Sequence, residues 1–356
     1  MIILKTVFAV FAVIGALDKI AGNRLKLGEE FEKGIMTIGT LALAMVGMIT
    51  VSPVIAELCI PVFTPLSNAL GIDISFIAGF IANDMGGATL AKELANGSTF
   101  GAFHGLVVAS MMGVTISFTI PVALAMTKAE YKKDVLLGIL SGVSTIPLGI
   151  FVSGILIKIQ ISSLLLNMAP SIVVSAMTCL GLVFIPKIAC KVFSVIGVLV
   201  GCIITAGLAL GILDYLTGIK LVSGIANITD GFSVVVDIAI VLSGVFPLIA
   251  LLSRLFKKAF LKIGYKTGLD EASVVGFVAS VANSIPTFKN LDKMNSKGRI
   301  LNMAFAVSAA FVFGDHLAFT IAFDEAFVLP VVVGKLVSGI SAVCVATMIC
   351  KNRDVH

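Results

Sequence analysis

The sequence predicts an all-α polytopic membrane protein made of two inverted-topology structural repeats, with opposed broken or re-entrant helices and a linker span. Three observations carry this. Of 356 residues, 58% are hydrophobic and 13% charged, and the mean hydropathy is +1.13, far more apolar material than one soluble core needs. The apolar residues form continuous runs near twenty residues long rather than short alternating segments, which argues against a β-barrel. Finally, the chain repeats itself at the offset of 197 residues that carries Gly71 onto Gly268.

Plain apolar runs fall at about 2–17, 34–52, 101–126, 135–157, 163–186, 192–213, 231–253, 300–322 and 326–349. The first lacks a small-x-small cleavage site and reads as a retained span rather than a signal peptide. Pro53, Pro61 and Pro65 interrupt 53–70, which reads as an interfacial helix pair or a kinked extension of the second span. Two segments, 74–94 and 271–291, are shorter and broken, the first at Asn83-Asp84-Met85-Gly86-Gly87 and the second at Asn283-Ser284-Ile285-Pro286.

The repeat pairs Gly71, Asp73, Gly79, Phe80 and Ala82 with Gly268, Asp270, Gly276, Phe277 and Ala279. In the same register Gly34, Gly47, Lys92, Gly101, Ser141 and Gly142 fall on Gly231, Gly244, Lys289, Gly298, Ser338 and Gly339. A one-residue shift brings Asp18 and Gly28 onto Asp214 and Gly224. The expected organisation is a first repeat over 1–157, a linker span over 158–190 and a second repeat over 191–356. Loop charge then sets topology, because basic loops stay cytoplasmic. Lys128–Lys133, Arg254–Lys266, Lys289–Arg299 and Lys351–Arg353 are the basic loops. With both its flanks cytoplasmic, 271–291 must dip in and return, and 74–94 should dip in from outside. The competing count, in which both segments cross fully, gives eleven spans and parallel repeats.

Asp84 is the foremost candidate for chemistry. An unpaired carboxylate facing hydrocarbon costs about 3 kcal/mol or more, so a charge beside two glycines in such a chain should face a polar cavity and hold a cation. A surface loop between helices is the plainer alternative. Asn83, Gly86 and Gly87 share that break, and Asn283 and Ser284 occupy the matching positions, where amides and hydroxyls suit a substrate hydroxyl. Asp315 and His316 sit within the run 300–322 and are expected either to line the cavity or to lock two helices. His104 and Asp237, each alone in a span, read as satisfied interhelical groups. Lys335 needs a carboxylate, with Asp315, Asp324 or Glu325 in range, unless it snorkels to the interface. The six cysteines show no paired spacing, and no metal site or cofactor motif appears. The net charge of +5 sits in a few loops and reports topology, not nucleic-acid binding.

Several stretches together carry a resemblance: Gly22-Asn23-Arg24-Leu25 with Gly28-Glu29-Glu30-Phe31, Ala82-Asn83-Asp84-Met85-Gly86-Gly87, Ser110-Met111-Met112-Gly113, Ala282-Asn283-Ser284-Ile285-Pro286 and Phe313-Gly314-Asp315-His316-Leu317. Over nearly its whole length the chain resembles the ethanolamine-utilisation transporter family of bacteria, the EutH type. It departs at Val114, where that family leads one to expect proline, and at Ser284, where asparagine is expected. The resemblance implies a multi-pass permease of the bacterial cytoplasmic membrane whose partners are ethanolamine and the lipid bilayer. A homo-oligomer is compatible with it. Ethanolamine is a primary amine, mostly protonated near neutral pH as lysine is, so a protein path matters most where acid leaves little of the membrane-permeant neutral form. Alternatives are a small-cation channel or a secondary transporter of another small amine. An intramembrane enzyme built on Asp315 and His316 lacks a nucleophile at useful spacing.

Overall fold

A computed structural model describes residues 1–81, 87–95 and 97–352, and among them the regular structure is entirely helical. Among the described residues seven helices are long and apolar enough to cross a membrane: α2 (Gly28–Leu70), α4 (Thr99–Met126), α5 (Ala129–Leu156), α6 (Ile161–Phe184), α7 (Pro186–Thr217), α8 (Ile228–Lys266) and α13 (Glu325–Lys351). Around them stand α1 (Ile2–Ile20), α3 (Gly87–Ala95), α9 (Glu271–Ser280), α10 (Ile285–Asn290), α11 (Ser296–Ala309) and α12 (Asp315–Phe323). The stretch 53–70 is neither a helix pair nor interfacial by itself: it continues α2, its three prolines lying inside the helix. The run 300–322 is not a plain span. It is split into α11 and α12 by an irregular stretch at Ala310–Gly314.

The contacts distinguish two ends of the molecule. At one end the ion pairs Lys128–Asp292, Arg299–Asp134 and Lys257–Glu271 gather the basic loops, and the Arg254 guanidinium donates to the carbonyls of Leu25 and Lys26. Cys350, near the end of α13, packs there beside Leu269 and Ile300. At the other end Lys5 pairs with Glu325, and Lys92, Gly97, Ser98, Phe323 and Asp324 surround a cavity of about 320 Å3. Helix α1 runs from the second end to the first.

Close packing between the halves is reciprocal. A methyl group at Gly47 would land on the Ile204 carbonyl, and one at Gly244 on the Phe8 carbonyl. Gly47 and Gly244 are 197 residues apart and Phe8 and Ile204 are 196 apart, the two registers of the sequence repeat. Likewise Gly34 abuts Ser243 and Gly231 abuts Val46. Residues related by the sequence offset thus meet in matching pairs. In lipid, where apolar burial gives little drive for helix association, such backbone approach supplies the packing energy.

Adding a methyl at these seams forces two backbones apart, an overpacking cost of about 1–3 kcal/mol. Gly47→Ala and Gly244→Ala should each lower the melting temperature of the purified protein. Gly201→Ala, at a helical position with nothing within 4 Å, should leave it unchanged or raise it. Equal melting temperatures for all three would show that the seams do not hold the halves together.

Candidate functional site

Two aspartates related by the repeat root two hairpins. Asp73 accepts from the Ser75 amide at 2.9 Å and from the Ser98 hydroxyl at 2.5 Å, so the chain leaves and rejoins the same place 25 residues apart. Asp270 accepts from the Ser273 amide at 2.8 Å and the Asn295 amide at 2.6 Å, and Asn295 also donates to the Gly268 carbonyl. Gly71 and Gly268 precede them with φ of +66° and +77°, values that glycine adopts without strain. Ser98 and Asn295 in turn cap the helices that follow. The Asp73 root lies beside the Phe323–Asp324 end and the Asp270 root beside the basic end. The two roots therefore lie at opposite ends of the molecule.

The second hairpin opens between α9 and α10, and the freed backbone groups find partners in the break between α11 and α12. The Phe311 amide donates to the Ser280 carbonyl at 2.9 Å and the Phe313 amide to the Val281 carbonyl at 2.8 Å. Either carbonyl would have been taken by a helical amide had α9 continued. Gly314 lies against the Ala282 carbonyl with no room for a Cβ, and Phe311 is held at φ +61°, a conformation costly for an aromatic residue. The Val307 carbonyl, which loses Phe311 as its helical donor, faces the Thr115 hydroxyl of α4 at 3.0 Å. Thr115 belongs to a helix that widens to π geometry at Phe103–Gly113 and Thr115–Thr119. Such widening is rare and frequent at functional sites.

Lys335 closes this region from α13. It is 1% exposed and donates to the Ser110 carbonyl of the π-helical stretch at 2.6 Å. It does not snorkel. Two of the carboxylates the sequence offered it are engaged elsewhere: Glu325 pairs with Lys5, and Asp324 accepts from the Ala326 amide at 3.0 Å.

Of the predicted site residues, Asn83, Asp84 and Gly86 lie outside the described residues. Gly87 opens α3 and is buried. Asn283 accepts from the Ile285 amide at 2.9 Å and so starts α10. Ser284 is fully buried, and its hydroxyl has no hydrogen-bond partner among the described residues. Asp315 begins α12, half-buried, and His316 is buried with its ring 5.2 Å from that of Phe311. The second break thus brings Asn283 and Ser284 to the α11–α12 break that carries Asp315 and His316. Thr287 serves structure: it accepts from Ser280 and donates to the Gly276 carbonyl.

His104 is a buried structural link, with Nδ1 2.7 Å from the Ser75 hydroxyl and Nε2 3.2 Å from the Asn167 carbonyl, tying the first hairpin to α4 and α6. Asp237 differs from its expected role. It faces a cavity of about 790 Å3 between α1, α8 and the end of α12, which Lys5, Asp324 and Glu325 also line. Sequence reasoning missed the π-helical carbonyl of Ser110 and the hydroxyl of Thr115. The one available signal was polar residues recurring through an otherwise apolar α4, the most buried of the long helices.

Comparison with known proteins gives the family. The family described as "Ethanolamine utilisation protein, EutH" matches residues 1–349. The chain is 45% identical to "Probable ethanolamine permease EutH" of Listeria monocytogenes over 337 residues, 94% of this chain and 90% of the relative. It is 35% identical to the protein of that name from Escherichia coli over 391 aligned residues, 99% of this chain and 96% of the relative. It is also 36% identical to "Uncharacterized protein YxeR" of Bacillus subtilis, over 96% of this chain and 92% of the relative. No solved structure matches it. Across its length, then, the chain belongs to the EutH family of ethanolamine utilisation proteins.

Proposed function

We propose that this chain is a permease that moves ethanolamine, as the ethanolammonium cation, across the bacterial cytoplasmic membrane by alternating access around a site between the two hairpins. Relatives covering nearly the whole chain carry the name ethanolamine permease. The observation that carries the mechanism is the pair of hairpins rooted at opposite ends, the second opening onto another broken helix. Reciprocal glycine seams at the repeat offset favour two inverted halves over 1–157 and 191–356, joined by a linker span. Two halves that pack through narrow seams can rock about a fixed site, which exposes it to each side in turn.

In this reading the ammonium is held by carboxylates, Asp84 at the first hairpin and Asp315 at the second break, because a desolvated cation needs an opposite charge. His316 orients Asp315. The buried Ser284 hydroxyl and the Asn283 amide receive the substrate hydroxyl. A buried hydroxyl without a partner costs stability unless a ligand supplies one.

The defining experiment is uptake of labelled ethanolamine into proteoliposomes. Saturable uptake inhibited by close amine analogues supports the permease, whereas single-channel currents would replace it with a small-cation channel. Within that assay, Asp84→Asn should abolish ethanolamine binding measured calorimetrically. Asp315→Asn should abolish uptake with nearly unchanged thermal stability, and His316→Ala should lose uptake and about 2–5 kcal/mol of stability, as large buried truncations do. A stable Asp315→Asn protein with normal uptake would remove Asp315 from the site.

Hydroxyl recognition makes a separate expectation. One net hydrogen bond contributes about 0.5–1.5 kcal/mol, so Ser284→Ala should weaken ethanolamine binding by roughly 2- to 10-fold while leaving binding of ethylamine, which lacks the hydroxyl, unchanged. Equal losses for both amines would assign Ser284 to packing.

Topology is checked by impermeant labelling of single cysteines on intact cells in a background free of the native six. Position 97 should label, and positions 132, 258 and 297 should not. Labelling at 297 would exclude opposed hairpins.

A further inference from the structure

Helix α8 has 39 residues, about 58 Å at 1.5 Å per residue, nearly twice the roughly 30 Å of bilayer hydrocarbon. Its apolar run ends at Ser253, and the last part carries Arg254, Lys257, Lys258, Lys262 and Lys266 among Leu255, Phe256, Phe260 and Ile263. This is where a helix leaves hydrocarbon for headgroups. Here α8 does not close against the second hairpin. A gap of about 530 Å3 remains between them, walled by Phe256, Phe260, Val274 and Phe277, with Val281 and Phe313 beside the break. A neighbouring groove of about 340 Å3 shares Ile249, Ser253, Phe260, Val274 and Val278 with this gap and is edged by Arg254 and Lys257. The apolar wall is open: Phe256 is 50% exposed and Phe260 38%.

An unfilled apolar slot with cations at its rim, at the boundary of the hydrocarbon, has the chemistry of one kind of occupant. We propose that it is a binding site for an anionic phospholipid of the leaflet on the basic side, an acyl chain lying in the slot and the phosphate headgroup held by Lys257, Lys258 and the Arg254 edge. Charge complementarity selects the headgroup. Five cations lie within thirteen residues, of which Lys257 pairs with Glu271 at 3.1 Å and Arg254 also donates to the Leu25 and Lys26 carbonyls, and juxtamembrane basic clusters of this size attract anionic lipid. The acyl chain would meet Val281 and Phe313, whose backbones are bonded to each other across the two breaks. Such a lipid would touch the junction of the two breaks without entering the candidate site.

The chain has no tryptophan, so Phe256→Trp supplies a single indole in the slot. The variant is reconstituted in phosphatidylcholine vesicles that contain brominated phosphatidylglycerol or, separately, the same fraction of brominated phosphatidylcholine. Brominated phosphatidylglycerol should quench the indole at least about twofold more strongly, and adding Lys257→Gln with Lys258→Gln should remove the difference. Equal quenching by both lipids would overturn the proposal, leaving ordinary boundary lipid. So would protection from both lipids together with crosslinked dimers through this face, which would assign the slot to a second copy of the chain. A control indole at Val198→Trp, 63% exposed on the apolar surface of α7, should show no headgroup preference. A preference there equal to that in the slot would likewise overturn a specific site.

Discussion

The structure turns on how it satisfies backbone that leaves helical geometry in the interior of a membrane protein. An unbonded amide or carbonyl in hydrocarbon costs several kcal/mol, so a break survives only where another part of the chain answers it. Here the answer is a second break. The amides of Phe311 and Phe313 reach the carbonyls of Ser280 and Val281, and Thr115 covers the Val307 carbonyl that the arrangement strands. The left-handed Phe311 and the Cβ-free Gly314 are the local cost of that match. Everything proposed for the site follows from it, because it places Asp315 and His316 at the start of a short helix beside Asn283 and Ser284.

The same logic explains the helices around the junction. A π-helical stretch in α4 leaves carbonyls out of the α-helical register, and one of them, at Ser110, accepts from the side-chain nitrogen of a fully buried Lys335. A lysine at such depth is costly unless polar groups meet it. Breaks, π turns and the buried cation are thus not separate irregularities: each supplies polar atoms that another requires. The surrounding spans are simple by contrast, and the seams of Gly34, Gly47, Gly231 and Gly244 let them approach closely enough to keep the junction in register.

How much of this the sequence discloses depends on the range of the forces involved. Spans driven by hydropathy are local, so the long helices are legible, and so is the segment broken at Asn283–Pro286, where Asn and Pro interrupt an apolar run. The split of 300–322 is not, because Phe311, Val312 and Phe313 keep the run apolar and the bonds that stabilise the break come from Ser280 and Val281, some thirty residues away. Helix α4 gives no warning of its π geometry either, since that depends on packing partners. Lys335 could be read as needing a partner, yet the Ser110 carbonyl could not be named without the fold. For Asp237, a single carboxylate in an apolar run looks the same whether it bonds to a neighbouring helix or faces a cavity between α1, α8 and α12.

Duplication offers a way to separate structural from functional polar residues. Asp73 and Asp270 are mates in the repeat, and both do the same work, capping the start of a hairpin and tying it to the cap of the helix that follows. Symmetry marks them as framework: a role needed twice is held twice. Asp84 and Asp315 have no acidic mates, for Val281 and Phe118 stand in the matching positions. A fold that closes around Val281 in one half does not need a carboxylate at Asp84 in the other. In the proposed reading, a carboxylate at Asp84 serves the cation that the site carries. The same reasoning applies to Lys335, whose mate is Gly138, a residue packed against the backbone of α11. Where one position of the repeat holds a glycine for close packing the other holds a long polar side chain, and the proposed site falls where the repeat departs from its own symmetry.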